Sequence, residues 1–298
     1  MPTSNHSGQV VNWAVGLVLL IAVVVLFLHL TATDVEFSRY NPQWNGTSAF
    51  FETLEDHGAV MVGDPSALAG RTNTTLLVIA PGRAPTAGEA TAYRDFVAAG
   101  NTLLLADDFG EGNALLKAVG GTIRLDQRNL SSLDREYQVS AAPLGFPVVG
   151  APFTDNITKI VFNHPVVVTG GTPFLETSLL SWIDENGNGR ADPTEPLGRF
   201  AIAATEPVGG GRVVVIGDGS LFINAMQHLR DGDNERLIDE LTPGTVLVDQ
   251  HLSQTSTASG PISTILWVRN ISSSIILVTA LALGMLAWYV CRRKRGWD

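Results

Sequence analysis

The chain has 298 residues, 45% of them apolar and only 16% charged, with a formal net charge of −10 and a mean hydropathy of +0.18. A charged fraction well under the roughly 25% of ordinary soluble domains points to segments that leave water. The 28 acidic against 15 basic residues between positions 34 and 269 exclude a nucleic-acid binder working through a basic face, and a single cysteine, Cys291, excludes an internal disulfide or a multi-cysteine metal site.

Residues 1–9 form a short N-terminus, and residues 10–30 follow as a nearly continuous apolar run broken only by Asn12 and His29. At about 1.5 Å per helical residue that run reaches about 30 Å, the thickness of a bilayer core. Its flanks lack the basic n-region and the small-x-small cleavage site of a signal peptide, which predicts an uncleaved anchor. After a strand over 58–62, residues 76–80 form a buried strand that stops at Pro81-Gly82. Thr86, with Glu89 three residues on, then caps a helix over 88–99 whose stripe is Ala92, Phe96 and Val97. Gly100-Asn101 ends it, residues 102–106 form a second buried strand, and Asp107-Asp108 precede a helix over 113–119. This βαβ order predicts a parallel sheet with crossover helices.

The second half predicts strands over 159–162 and 165–169 around Asn163-His164, and a hairpin between 200–205 and 212–217 across Gly209-Gly210-Gly211. A strand end at Gly217-Asp218-Gly219-Ser220, a helix opened by Asp233-Asn234, and a strand over 245–248 ending at Asp249 complete a domain over 31–254. Residues 255–269 read as a tether. Residues 270–291 are an uncharged second span with Trp267, Trp288 and Tyr289 near its ends, and residues 292–298 are a basic tail of net charge +3. The positive-inside rule places that tail, and with two spans the N-terminus also, in the cytoplasm. Residues 31–254 then lie outside, consistent with sequons at Asn45, Asn73, Asn129 and Asn156, with a fifth at Asn270. Ala280 and Gly284 have the small-residue spacing that lets membrane helices pack closely.

A strand ending in IAPG, a strand ending in ADDFGEGN, and then VVVIGDGSLFINAM, DNERLIDEL and TVLVDQH resemble a family of uncharacterised prokaryotic membrane proteins. Their extracytoplasmic domain has the flavodoxin-like, Rossmann-like α/β fold of class I glutamine amidotransferases without the chemistry. The resemblance covers about 41–251. It implies a non-catalytic domain, often encoded beside a MoxR-type AAA+ ATPase and a von Willebrand-like protein, and so a membrane-associated complex with those partners.

An amidotransferase needs a cysteine thiolate on a strand-to-helix turn, and here that turn offers Asp107, Asp108 and Phe109 instead. A serine alternative would use Ser220 with His251 or His228 as base and Asp218 or Asp249 as orienter. The surrounding Gly217–Phe222 stretch lacks the G-x-S-x-G elbow, which favours a capping role for Ser220. Asp107, Asp108, Asp218 and Ser220 all follow strands, where open α/β sheets collect ligands. His164, before Pro165, reads as a turn residue because no second His stands at metal spacing.

Residues 184–195, DENGNGRADPTE, match the calcium-loop pattern at every specified position: Asp184, Asn186, Asn188, Gly189 and Glu195. Arg190 would add its backbone carbonyl and Asp192 the ninth position, giving Ca²⁺ the oxygens it requires. Pro193 and Pro196 obstruct an exiting helix, so a structural clamp is expected rather than a sensor. No Walker sequence or post-strand G-x-G-x-x-G supports nucleotide binding. The sequence thus predicts a membrane-anchored, non-catalytic binding or scaffolding domain. An extracytoplasmic serine hydrolase and an accessory subunit of a transporter are the alternatives.

Overall fold

The computed structural model describes residues 16–23, 25–26, 33–227, 229, 231–259 and 261–265. The chain divides into two compact units, one of Asp34–Thr257 and one of Met1–Thr33 with Ala258–Asp298. In the second, residues 16–23 and 25–26 are helical (α1), as are 261–265. Among the described residues no helix is long and apolar enough to cross a membrane. The expected span at 270–291 and the tail at 292–298 lie outside the described residues, as do the parts of 10–30 not in α1.

The first unit opens with α2 (Ser48–Asp56), β1 (Val60–Val62), β2 (Thr75–Ile79), α3 (Ala87–Ala98), β3 (Thr102–Ala106) and α4 (Gly112–Val119). Short strands follow: β4 (Arg124–Asp126), β5 (Asn129–Ser132), β6 (Leu144–Pro147), β7 (Ile160–Val161) and β8 (Val167–Thr169). Then come β9 (Thr172–Glu176), β10 (Ser181–Asp184), β11 (Leu197–Gly198), β12 (Ala201–Val208), β13 (Gly211–Ile216), α5 (Asn234–Leu241) and β14 (Val246–Asp249). The main sheet has nine strands in the order β1-β14-β2-β3-β13-β12-β9-β6-β7. β5, β10 and β11 form a separate three-stranded sheet, and β4 pairs with β8.

The five strands from β1 to β13 are parallel, and the inner three, β14, β2 and β3, are buried on both faces. Leu77, Ile79 and Leu104 pack in one core with Phe50, Phe51 and Leu54 of α2 and Leu237 and Leu241 of α5. Leu76, Val78, Leu103 and Leu105 point the other way, against Tyr93, Phe96 and Val97 of α3 and Leu115 and Leu116 of α4. Continuous rather than alternating apolar runs such as TLLVI and TLLLA are what a doubly covered parallel strand requires. The predicted capping box at the start of α3 is present, with Thr86 N donating to Glu89 Oε2 at 2.8 Å.

The sheet is mixed, which corrects the expectation of a parallel one. Beyond β13, strands β12, β9, β6 and β7 run antiparallel to their neighbours. The Gly209-Gly210 turn between β12 and β13 is the cause, since two residues leave no room for the crossover that parallel pairing needs. That turn passes against the end of α3, where a Cβ on Gly210 would fall 2.6 Å from the Ala98 carbonyl oxygen.

Leu104 is fully buried in the central strand β3, so Leu104→Ala is expected to cost about 2–5 kcal/mol in denaturant unfolding of the full chain. Val149→Ala, at a fully exposed position, should change stability by less than about 0.5 kcal/mol. Equal effects at the two positions would contradict this core.

Candidate functional site

The parallel strands deliver their following residues to one edge of the sheet. After β2 comes Ala80, after β3 Asp107 and Asp108, and after β13 Asp218 and Ser220. β14 ends in Asp249, followed by His251. Three of these carboxylates are fully buried, and each is spent on backbone N–H groups. Asp107 accepts from Gly110 N at 3.1 Å and Gly112 N at 2.7 Å and so starts α4. Asp218 accepts from Asn163 N and Ser220 N, both at 2.7 Å. Asp249 accepts from the Tyr93 hydroxyl at 2.6 Å and from the N–H groups of His251, Leu252 and Ser253.

Burial dominates the protonation of Asp107, Asp108 and Asp218. It pushes Asp107 up to about 7, outweighing the opposing bonds from Gly112 and Gly110. Asp218 is carried well above the usual carboxylate range and Asp108 is raised, both chiefly by desolvation.

Asp108 turns away from Asp107 and lines a cavity of about 450 Å³ together with Ala80, Phe109 and Ser220. Asn163 and His164 form another part of its wall, and Gln254 a third. Glu36, Phe37 and Trp44, from the segment before α2, complete it. Three non-glycine residues that line it sit in the left-handed backbone region: Phe37 (φ 58°), Ala80 (φ 43°) and His164 (φ 60°). Each is held there by a backbone hydrogen bond, from Phe37 N to Asn45 O, Ala80 N to Ala106 O and His164 N to Ala141 O. Strained residues that the surroundings over-determine tend to gather at functional sites.

The residues proposed from sequence for a serine centre take different places. Ser220 faces the cavity, but its backbone N–H is capped by Asp218, whose other oxygen takes Asn163 N. His251 Nε2 lies 2.6 Å from Glu89 Oε1 and 2.7 Å from Arg83 Nη2, and among the described residues no hydrogen bond joins it to Ser220. Arg83, and after it His251, hold the Glu89 carboxyl well below its ordinary range. His228 lies outside the described residues. Phe37 and Trp44 carried no motif in the sequence. Their segment is fastened from afar by Asn224, whose Nδ2 donates to the Asn41 and Gln43 carbonyls and whose Oδ1 accepts Ala49 N.

The 184–195 segment links β10 to β11 as a loop closed on itself. Asp184 accepts from Asn188 N at 3.1 Å and Gly189 N at 2.8 Å, and Glu195 accepts from Glu185 N and Asp192 N, both at 3.0 Å. Asn186 and Asn188 donate their amides to Asp192 Oδ2, and Arg190 N donates to Asn188 Oδ1. Gly189 has the positive φ, 71°, that the bend demands. Among the described residues no three His, Cys, Asp or Glu side chains converge as a metal cluster. A cation here would therefore depend on the asparagine and backbone oxygens as well as Asp184, Asp192 and Glu195.

Residues 39–242 match the family described as Domain of unknown function (DUF4350). No curated protein matches the chain. Among solved structures, the mmIFT52 N-terminal domain aligns with a TM-score of 0.51 at 17% identity, over 67% of this chain and 91% of that domain, a similarity of fold. β-Galactosidases from Bacillus circulans sp. alkalophilus and from the Antarctic haloarchaeon Halorubrum lacusprofundi align at TM-scores of 0.34 and 0.33 with 14% and 17% identity. These cover 56% and 59% of this chain but only 22% and 23% of the galactosidases.

Because Asp107 holds its proton more tightly when folded, its contribution to stability is full below about pH 4 and is lost as pH rises through about 7. The melting temperature of the full chain should accordingly fall across that window. Asp107→Asn, which keeps one acceptor and cannot ionise, should flatten the fall while costing about 1 kcal/mol at the acid end. Parallel profiles for the two proteins would show that Asp107 does not carry this dependence.

Proposed function

The chain belongs to the DUF4350 family, and we propose that it is a membrane-anchored, non-catalytic binding domain with an amidotransferase-like fold, acting outside the cell within a membrane-associated complex. The observation that carries this is the carboxyl-edge cavity. It stands where ligands of open α/β sheets collect, yet the buried carboxylates around it are committed to the backbone and His251 is committed to Glu89 and Arg83. The arrangement is suited to holding a partner group, and among the described residues no hydrogen bond joins Ser220 to a histidine, the contact that nucleophilic chemistry uses. Anchoring is supported by the apolar runs at 10–30 and 270–291 and by α1, whose Leu17, Val18, Leu19 and Leu20 are each more than half exposed. The amidotransferase likeness is supported by parallel strands with helices on both faces, and the partners it implies are the MoxR-type ATPase and the von Willebrand-like protein.

Crosslinking in native membranes, followed by capture through a C-terminal tag, should recover a membrane complex. Trp44→Ala and Asp108→Asn should each reduce recovery about tenfold, the scale of an interface anchor. Undiminished recovery with both would remove the cavity from the interface. If Ser220→Ala instead abolishes function in cells while capture and melting stay intact, the serine hydrolase takes its place.

The 184–195 loop would hold one structural Ca²⁺, with Asp184, Asn186, Asn188, Asp192 and Glu195 as side-chain donors and Arg190 as a carbonyl donor. Its support is the complete motif together with two buried carboxylates, Asp184 and Glu195, already oriented by loop N–H groups. Calorimetry on the full chain should give a Kd of about 0.1–1 mM, as in extracellular modules. Glu195→Gln should abolish that heat, and chelator should lower the melting temperature of the parent chain alone. Absence of heat, with melting indifferent to chelator, would dispose of the assignment.

A further inference from the structure

A cavity of about 450 Å³ is the size of a small-molecule site. Its walls carry two carboxylates, Glu36 and Asp108, no Lys or Arg, and one histidine, His164, within electrostatic reach of Asp108. Neither carboxylate has an ion-pair partner among the described residues, although the same unit pairs several of its arginines with acids, as in Arg39–Glu55 and Arg83–Glu89. Asp107 and Asp218 lie close enough to feel the charge of Asp108. A field of this sign draws in a cation and repels phosphates and carboxylates.

The walls also identify the kind of cation. A hard metal ion asks for about six oxygens or more, and no three-residue metal cluster exists among the described residues. What the cavity offers instead is aromatic surface: Trp44 is 66% exposed and Phe109 50%, on segments far apart in sequence, with Phe37 beside them. Exposed aromatic faces beside unpaired carboxylates are the surroundings an alkylammonium group prefers, since the ring attracts the charge and its face covers the alkyl carbons.

We propose that this cavity binds a small organic cation, an ammonium head carried on a ligand or partner, with its charge toward Asp108 and Glu36 and its alkyl surface on Trp44 and Phe109. This rests on the binding-domain reading above and names the ligand class for it. Binding is reversible and involves no covalent step.

The test is calorimetric titration of the full chain in lipid nanodiscs with choline and with n-butylamine, each compared with the uncharged carbon isostere of choline and with glucose. At least one cation should bind saturably and about tenfold or more tighter than the isostere. Trp44→Ala and Asp108→Asn should each weaken that binding about tenfold, whereas Val149→Ala should not change it. Trp44 is a surface residue, so its replacement tests the site even if Asp108→Asn melts early. Cations that bind no better than the isostere or glucose would overturn the inference. In that event the binding-domain reading survives if Trp44→Ala still lowers partner capture, and falls with it if capture is unchanged.

Discussion

A parallel sheet covered on both faces forces every strand to leave the core through the same edge, where its backbone N–H groups have lost their ladder partners. In this domain that demand is met by three buried carboxylates, Asp107, Asp218 and Asp249, one behind each of β3, β13 and β14. The rest of the edge depends on them. Asp107 starts α4, and Asp218 fixes both the turn after β13 and the approach of residue 163. Asp249 gathers 251–253, which brings the Ser253 hydroxyl to Ile79 N at 3.1 Å and so closes the end of β2. The cost is electrostatic. Burial makes Asp107 and Asp218 resist ionisation, so the negative field of the cavity beside them comes from Asp108 and Glu36 on its wall, where no Lys or Arg stands.

The elements legible in the sequence were those specified by local physics. Continuous apolar runs marked β2 and β3, the Thr86 and Glu89 pair marked the start of α3, and the Gly209–Gly211 stretch marked the hairpin of β12 and β13. Strand order was not legible, because β14 enters between β1 and β2 from nearly two hundred residues away, and no local pattern encodes that insertion. The antiparallel extension through β9, β6 and β7 was hidden for the same reason. Within the site, Asp107, Asp108, Asp218 and Ser220 were found because they follow strands. Glu36, Phe37 and Trp44 were missed because their role arises from a long-range tie through Asn224, and only a turn-rich NPQWNGT stretch with an isolated tryptophan hinted at it.

The two ends of the α/β unit meet at this edge. Arg39 N donates to Thr255 O at 2.9 Å, Gln250 Nε2 to Thr255 Oγ1 at 3.0 Å, and Gln254 N to Ala80 O at 3.1 Å. Residues 255–257 therefore belong to the folded unit, with Thr255 fully buried. The cavity takes Glu36, Phe37 and Trp44 from the incoming end and Gln254 from the outgoing end. In sequence these segments continue toward the apolar runs at 10–30 and 270–291. An occupant of the cavity would touch both connections at once, whereas one bound at the opposite end of the sheet would touch neither. The cavity is thus assembled from both ends of the α/β unit as well as from the carboxyl edge of its sheet.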